Sequence, residues 1–296
     1  MPIGLDYGLL AALAWGSTDV LATIGGRRLG SLRVTAIAEL TSLAIVTLLA
    51  VLRGEGLPRD PGIIAAAAIL GVVGAGAYLS FFTALRIGPI AVVSPVVAAY
   101  GGLTVVLSVT LRGESLTPLQ ALGAAVATLG VVLAGVVSDG GWRGTRIVGR
   151  GVLMSLLAMV LFAALTVGLA GPIRVAGWLP ILLVSRFANA VTIWLLLAVV
   201  MVVGRHRVAA LMGESGSVGS RALAAAGLAG VLDTAGFVVF AVGLEVAPTW
   251  IVGLASSFGP AVTVLVAVVL WGERLRPSQW LGLAGIAVGL AVVAIP

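Results

Sequence analysis

The sequence predicts an all-α integral membrane protein of ten transmembrane helices, arranged as two inverted five-helix repeats. Three observations lead to this fold class. Hydrophobic residues make up 60% of the chain and charged residues only 9%, whereas soluble domains carry about 25% charged residues. The apolar residues form separate runs of roughly 20 residues, each long enough to cross a membrane as a helix. Finally, the second half of the chain repeats part of the first.

Helices are expected rather than barrel strands, because runs such as residues 63–82 are apolar on every side, whereas membrane strands alternate apolar and polar residues. Charges, prolines and glycine clusters set the helix boundaries to within about 2–4 residues. The predicted helices are residues 5–24, 32–52, 63–85, 90–111 and 119–137 in the first half, and residues 148–170, 177–203, 222–244, 249–271 and 278–295 in the second.

The internal repeat is specific. A shift of 159 residues aligns the third, fourth and fifth predicted helices with the eighth, ninth and tenth without a gap. Both copies carry the run Gly-Glu-x-Leu-x-Pro-x-Gln-x-Leu-Gly, which begins at Gly113 and again at Gly272. Chance similarity between two valine-rich helices would not reproduce this run. We therefore divide the chain into a first repeat, residues 1–140, and a second repeat, residues 141–296.

The number of helices per repeat indicates a function. Five is odd, so the second repeat must enter the membrane from the side opposite to the first. Inverted repeats are the architecture of alternating access, with a substrate site near the middle of the membrane where the repeats meet. The sequence therefore predicts a transporter of small molecules in a lipid bilayer. Membrane proteins that do not transport also contain duplications, and this is the alternative.

Several short motifs resemble those of a known family, and the resemblance extends over nearly the whole chain. These motifs are Ala14-Trp15-Gly16-Ser17, Ala84-Leu85-Arg86-Ile87-Gly88, Ser94-Pro95, Leu111-Arg112-Gly113-Glu114, Pro118, Gly123 and Arg186-Phe187. Together they are similar to the signature of the EamA family of the drug/metabolite transporter superfamily. The second repeat departs from this pattern, because Gly253-Leu254 stands where the first repeat has Ser94-Pro95. The binding site is therefore not expected to be fully symmetric.

The resemblance implies a ten-helix exporter of amino acids or other metabolites in the bacterial cytoplasmic (inner) membrane. Aromatic amino acid exporters of the YddG type are the nearest named match. The family fold implies a central cavity lined mainly by helices one, three, four, six, eight and nine. Export of other metabolites or drugs is the alternative function, and a channel or an intramembrane enzyme is the more distant one.

Composition excludes several other classes. The chain has no cysteine and a single histidine, His206, in a polar stretch, so neither a metal site, nor a catalytic triad, nor a cofactor is expected. We do not expect an enzyme, and no Walker-type loop for ATP is present. The arginines lie between hydrophobic runs rather than on one solvated face with aromatic residues, which argues against nucleic acid.

The orientation of the termini is open between two indications. About twelve arginines fall in the connections after helices one, three, five, seven and nine, and about four in the other connections. The positive-inside rule then places both termini outside. The family resemblance implies both termini inside. We follow the charge count.

Few ionisable residues fall within the predicted helices, and each needs a partner or a water-filled cavity. Asp233 lies near the centre of the eighth helix, Arg186 inside the seventh, Asp19 late in the first and Glu39 in the second. Asp19 and Asp233 are candidate sites for a proton or a substrate amine, which leaves proton coupling open. Alternatively, Arg186 forms a structural ion pair with Glu39 or Asp233, and Asp19 reaches toward Arg27 or Arg28. For Arg186 we favour the ion pair.

Aromatic residues provide a second set of candidates, because an amphipathic substrate needs flat apolar surfaces. Tyr78 and Phe237 fall at equivalent positions under the repeat shift. Ordinary packing against lipid or other helices is the alternative for each residue. The further aromatic candidates are Trp15, Phe82, Tyr100, Phe162 and Trp250.

Predicted helix breaks provide the third set of candidate binding residues, because unwound backbone is tolerated in a membrane where it lines a cavity. The sequence predicts breaks at Ser94-Pro95 and Gly101-Gly102, and at Ser256-Ser257 and Gly259-Pro260. Ser94, Ser256 and Ser257 are candidate hydrogen-bond donors to a substrate. A simple kink filled by neighbouring side chains is the alternative.

Two further features are given structural roles. Glu114 and Glu273, at the repeated turns, are expected to cap or order loops. Small residues spaced by four, such as Gly71 with Ala75 and Gly285 with Gly289, predict close helix contacts, either between the repeats or between subunits.

Overall fold

A computed structural model of the chain describes residues 3–87, 93, 96–135, 150–203, 219–259, 261–262 and 277–295. Ten helices and no strands are found in these ranges. The predicted all-α fold is therefore confirmed. The helices are α1 (Ile3–Leu29), α2 (Ser31–Arg53), α3 (Pro61–Ile87), α4 (Tyr100–Arg112), α5 (Pro118–Gly135), α6 (Arg150–Ala176), α7 (Trp178–Val203), α8 (Ser220–Val246), α9 (Thr249–Ser256) and α10 (Pro277–Val293).

The helices suit a lipid environment. Five of those described, α2, α3, α6, α7 and α8, are long and apolar enough to cross a membrane, with mean hydropathies between 1.9 and 2.5. Large apolar side chains cover the outer surface, where Leu52 is 72% exposed and Val202 is 86% exposed. A surface of this kind favours contact with lipid chains over water. The chain is a multi-pass membrane protein.

The end of α6 differs from the sequence prediction. The helix was expected to stop at residue 170, before Gly171-Pro172, but it continues past Pro172 to Ala176. Proline weakens a helix because it lacks an N–H donor. Here the last turn is held from outside by Arg174, whose guanidinium donates to the carbonyl oxygens of Leu244 at 3.1 Å and Ala247 at 2.8 Å. Gly177, with φ of +84°, then ends the helix.

The predicted helix breaks are partly correct. In the second repeat, α9 ends at Ser256 and a turn follows at Ser257 and Phe258. In the first repeat, α4 begins after a turn at Ala99, which corresponds to Phe258 under the shift of 159 residues. Both repeats therefore interrupt the fourth helix at the same point. Ser94-Pro95 and Pro260 lie outside the described residues.

The prediction of a break at Gly101-Gly102 is wrong, because both residues lie within continuous helix in α4. Close packing explains why glycine occurs there. A Cβ atom at Gly101 would overlap the side chain of Ser257 and lie 3.3 Å from the Cα atom of Leu254. The glycine lets α4 approach α9 closely, which is a packing role rather than an unwinding role.

The two repeats are interleaved. Helix α1 packs against α8 and α9, and its counterpart α6 packs against α3 and α4. Likewise α2 packs against α8, and α7 packs against α3. Three further pairs join equivalent helices of the two repeats: α2 with α7, α4 with α9, and α5 with α10. The principal contacts thus form between the repeats. Each of them has an equivalent contact when the helices of one repeat are exchanged for those of the other.

This contact pattern defines two groups of helices, each mixed from both repeats. We call α1, α2, α8 and α9 the first group and α3, α4, α6 and α7 the second group. They meet chiefly where α2 packs against α7 and where α4 packs against α9, with smaller contacts of α8 with α6 and α7. The paired helices α5 and α10 belong to neither group.

Small residues make the contacts between repeats close. A Cβ atom at Gly289 of α10 would lie 2.5 Å from the amide nitrogen of Ala127 and 2.6 Å from the carbonyl oxygen of Gly123, both in α5. A Cβ atom at Gly71 of α3 would overlap the backbone of Ser185 in α7. These two predicted small-residue faces therefore pack the two repeats against each other.

Candidate functional site

A cavity of about 770 Å³, including its open mouth, lies between the two helix groups. Both groups contribute equally to it. The lining residues are Trp15, Thr18, Asp19, Asp233, Phe237, Phe240, Ser256, Ser257 and Gly259 from the first group, and Tyr78, Phe81, Phe82, Val97, Ala98, Tyr100, Phe162, Leu165 and Thr166 from the second.

The structure brings together most of the candidate residues predicted from the sequence. Ser94 lies outside the described residues, and Trp250 does not line the cavity. Trp250 is the second residue of α9 and is 3% exposed, about two helical turns from Ser256. The candidates that line the cavity are Trp15, Asp19, Tyr78, Phe82, Tyr100, Phe162, Asp233, Phe237, Ser256 and Ser257.

Sequence reasoning missed several lining residues. Phe81 and Phe240 are identical partners under the repeat shift, so the same comparison that selected Tyr78 and Phe237 contained the signal for them. Thr18 and Thr166 carried no such signal, because a threonine within an apolar helix is compatible with any face. Their positions became clear only from the packing of α1 and α6 around the cavity.

Aromatic rings form continuous walls on both sides of the cavity. On the second group, Tyr78 meets Phe162 edge-on with ring centroids 5.4 Å apart. On the first group, Trp15 meets Phe237 edge-on at 5.0 Å. Tyr78 and Phe237 are themselves 6.4 Å apart across the two groups. Such contacts favour a flat apolar or aromatic ligand.

A buried network of charges joins the two groups beside this cavity. Arg186 of α7 donates through Nη1 to both carboxylate oxygens of Glu39 in α2, at 3.0 and 3.1 Å. Its Nη2 lies 3.0 Å from Oδ2 of Asp233 in α8. The hydroxyl of Tyr78 donates to Oδ1 of Asp233 at 2.7 Å. Arg186 therefore contacts both of its predicted alternative partners.

The side chain of Arg186 is enclosed. It is 2% exposed, and its guanidinium carbon lies 3.7 Å from the centroid of the Phe237 ring. Stacking on an aromatic face stabilises a desolvated cation. The Asn189 amide also donates to Glu39 Oε1 at 3.3 Å. The arginine thus lies behind the aromatic wall of the cavity, and it is absent from the cavity's lining residues.

The two serines at the break in α9 are hydrogen-bonded to the preceding turn of the helix. Ser256 donates to the carbonyl oxygen of Gly253 at 3.0 Å, and Ser257 donates to that of Leu254 at 2.7 Å. The Ser256 hydroxyl also lies 3.0 Å from the Tyr100 hydroxyl, and either oxygen can donate in this contact. Asp19 lines the same cavity; the side chains of Arg27 and Arg28 lie outside the described residues.

Glu114 joins the two helix groups at one end of the protein. Its carboxylate accepts hydrogen bonds from the backbone N–H groups of Thr249 and Trp250, each at 3.1 Å. A carboxylate at this position satisfies free donors and faces the positive end of the helix dipole of α9. Arg174 Nη2 lies 3.3 Å from the same carboxylate. The predicted capping role of Glu114 is confirmed, and Glu273 lies outside the described residues.

We expect Glu114→Gln to lower the free energy of unfolding by about 1–2 kcal/mol. Burial raises the pKa of Glu114, but hydrogen bonds from Thr249 and Trp250 and the charge of Arg174 together hold this pKa below its usual value. The ionised carboxylate therefore stabilises the fold above the unfolded pKa, and this stabilisation is lost as pH falls through the lower folded pKa.

Unfolding of the detergent-purified protein at several pH values tests this prediction. The difference between wild type and Glu114→Gln should be largest near neutral pH and should shrink under acid conditions. Glu55→Gln is the matched control, because it removes a carboxylate from an exposed ion pair with Arg53. A difference that stays constant with pH would contradict the assigned role.

Gly236 makes room for the indole of Trp15. A Cβ atom there would lie 2.7 Å from Trp15 Nε1 and 2.8 Å from its Cδ1. Gly236→Ala should therefore displace the ring from the cavity wall and reduce ligand affinity by roughly tenfold, about 1.4 kcal/mol. Gly227→Ala on the same helix is the control, since no described residue lies within 4 Å of its Cβ position. Equal ligand affinity in the two variants would show that Trp15 does not shape the site.

A helical membrane protein with two inverted repeats around a central cavity has the architecture of a small-molecule transporter. Residues 2–136 and 149–295 match the EamA-like transporter family. A solved structure described only as "Crystal structure of protein" has a TM-score of 0.81 to this chain at 22% identity, covering 99% of this chain and 96% of that one. That likeness shows the fold alone. No curated protein matches the chain.

The family match covers both repeats and nearly the whole length. The chain belongs to the EamA-like transporter family. The family resemblance predicted from the sequence is therefore confirmed, and with it the function of a membrane transporter for small molecules. Members of this family are transporters and not enzymes.

Proposed function

We propose that this transporter exports small amphipathic metabolites, with aromatic or other apolar amino acids favoured, across the bacterial inner membrane by alternating access. The observation that carries the proposal is the composition of the central cavity. Its walls are aromatic, and two carboxylate side chains, Asp19 and Asp233, lie among the lining residues. An apolar substrate side chain and a substrate ammonium group each find a complementary surface there.

The aromatic walls favour a flat substrate for two physical reasons. Ring-on-ring contact in a desolvated site contributes beyond the area buried. Rings such as Phe162 and Phe237 also attract a nearby cation through their faces. A carboxylate in the same space adds a direct charge partner for an ammonium group. YddG-type aromatic amino acid exporters are the subfamily that these features favour.

The interleaved helices suggest which parts move. Because the principal helix contacts form between the repeats, two sequence halves could not separate without breaking them. The two mixed groups share fewer contacts, chiefly α2 with α7 and α4 with α9. We propose that these groups tilt against each other, which would open the cavity first to one side of the membrane and then to the other.

Efflux of radiolabelled amino acids from cells expressing the protein tests the substrate class. Phenylalanine, tryptophan, leucine and glutamate form a suitable panel, with vector-only cells as the control. We expect the aromatic and branched amino acids to leave faster than in the control, and glutamate to be unaffected. If no aromatic amino acid moves, the proposed substrate class is wrong.

Asp233 and Asp19 are the proposed proton sites if export is coupled to protons. Among the residues that the structure describes, the charged or titratable groups near Asp233 are Arg186, Glu39, Tyr78 and Asp19. Asp233→Asn should slow export by roughly tenfold or more and flatten its pH dependence, because the amide cannot exchange a proton. Proteoliposomes with imposed pH gradients provide the measurement. If Asp233→Asn and Asp19→Asn both leave the rate and its pH dependence unchanged, coupling through these residues is excluded.

A further inference from the structure

In the charge network beside the cavity, Arg186 is bonded differently to its two carboxylate partners. Nη1 of Arg186 makes two hydrogen bonds to Glu39. Nη2 lies as close to Asp233, at 3.0 Å, yet it makes no hydrogen bond within the described residues. The contact with Asp233 is therefore an ion pair without directional hydrogen bonding. Glu39 is the better held partner of the arginine, and Asp233 is the one more easily exchanged.

Only one of the two carboxylates can be reached from the cavity. Asp233 lines the cavity, whereas Glu39 and Arg186 do not. Glu39 is 3% exposed and is further held by the Asn189 amide. A cation that enters the cavity can therefore reach Asp233 but not Glu39. Tyr78 donates to Oδ1 of Asp233 and Arg186 faces Oδ2, so a ligand cation that binds this carboxylate shares it with Tyr78 and competes with Arg186.

Charge neutrality favours an incoming cation. In this network one arginine faces two carboxylates, and a carboxylate in a membrane interior is costly without a positive partner. A bound ammonium group would give each carboxylate its own cation: Arg186 with Glu39, and the ligand with Asp233. An anionic ligand would instead add a further negative charge near Asp233 and Asp19.

We infer that Glu39 and Arg186 act together as positioning residues which make Asp233 selective for an amine: Arg186 bridges both carboxylates when the cavity is empty and is retained by Glu39 alone when a ligand ammonium binds Asp233. This inference rests on the proposed function and narrows it. The substrate must carry a protonated amine, and its carboxylate is dispensable for recognition at this end of the cavity.

Three aromatic probes separate the contribution of the substrate's amine from that of its carboxylate. Their binding to the purified full-length protein is measured by calorimetry. They are phenylalanine, phenethylamine, which lacks the carboxylate, and 3-phenylpropionate, which lacks the amine. Wild type should bind phenethylamine at least tenfold more tightly than 3-phenylpropionate. Equal or tighter binding of 3-phenylpropionate would overturn the inference without any variant.

Variants of Glu39 test the positioning role. Glu39→Gln leaves Asp233 as the sole charged partner of Arg186, so phenethylamine binding should weaken by tenfold or more although Glu39 does not line the cavity. The double variant Glu39→Gln with Arg186→Gln removes the competing cation and should restore binding to within threefold of wild type. Glu39→Asp keeps the charge and should remain close to wild type. Glu55→Gln, at an exposed ion pair, is the control.

The outcomes distinguish this inference from the proposed function. If Glu39→Gln binds phenethylamine as wild type does, or if the double variant binds no better than the single one, the inference is overturned. If wild type binds isopentylamine but none of the aromatic probes, the aromatic substrate class fails and the amine requirement stands. If wild type binds phenylalanine but neither amine, the inference fails and the aromatic substrate class stands; if it binds none of the probes, both fail. Should the Gln variants not fold, the comparison of phenethylamine with 3-phenylpropionate in wild type decides.

Discussion

Replacement of Arg186 with methionine is expected to lower the free energy of unfolding by about 3–5 kcal/mol, the range found when one partner of a buried ion pair is removed. The variant leaves Glu39 and Asp233, which are 3% and 6% exposed, without their shared cation. Packing changes little, because methionine retains most of the aliphatic part of the side chain. Unfolding of the purified protein by titration with a denaturing detergent provides the measurement.

Two further variants serve as comparisons for Arg186→Met. Arg53→Met should change the free energy of unfolding by only about 0–1 kcal/mol, because the ion pair of Arg53 with Glu55 is exposed. The triple variant Arg186→Met, Glu39→Gln and Asp233→Asn removes all three charges and should recover most of the loss. If Arg186→Met is no more harmful than Arg53→Met, the network does not stabilise the fold.

The second large effect is expected at the contact between α5 and α10. A side chain at Gly289 meets the backbone of both Ala127 and Gly123, and backbone atoms cannot turn aside as a flexible side chain does. Gly289→Leu should therefore force the two helices apart and lower the free energy of unfolding by about 3 kcal/mol, the upper part of the range for overpacking.

Gly227→Leu is the matched control for this substitution. Gly227 lies within α8, and none of the residues that the structure describes comes within 4 Å of its Cβ position, so the leucine has room in this part of the protein. Leucine also favours the helix over glycine by up to about 1 kcal/mol. The control should therefore be neutral or stabilised. Equal losses in the two variants would show that the close approach of α5 and α10 is not what requires Gly289.

The sequence was sufficient to predict the helices and much of the site. Apolar runs bounded by charges located all ten helices, because a membrane helix requires about 20 apolar residues. The repeat shift then paired Tyr78 with Phe237, which both line the cavity. The end of α6 was missed, because Pro172 is a stop signal locally and the support from Arg174 to the backbone of Leu244 comes from a distant part of the chain.

Other features required the three-dimensional packing. The repeat shows that the halves are related, but it does not show that α1 packs against α8 rather than against its own neighbours. The sequence also left Arg186 with two alternative partners, Glu39 and Asp233. They are separated from it by 147 and 47 positions along the chain, and only the arrangement of α2, α7 and α8 shows that both contact it.

The most direct test of alternating access exploits the absence of cysteine in the chain. Ser256→Cys and Thr166→Cys each place one thiol in the cavity wall, on the first and the second helix group. A membrane-impermeant thiol reagent is then applied to either side of sealed proteoliposomes of known orientation. Leu195→Cys on the exposed surface of α7 and Glu55→Cys in the connection after α2 are the controls.

We predict that both cavity thiols are labelled from either side, that substrate slows their labelling, and that the Leu195 control is labelled from neither side. The Glu55 control should react from one side only. Cavity thiols that react from a single side under every condition would contradict alternating access at this cavity.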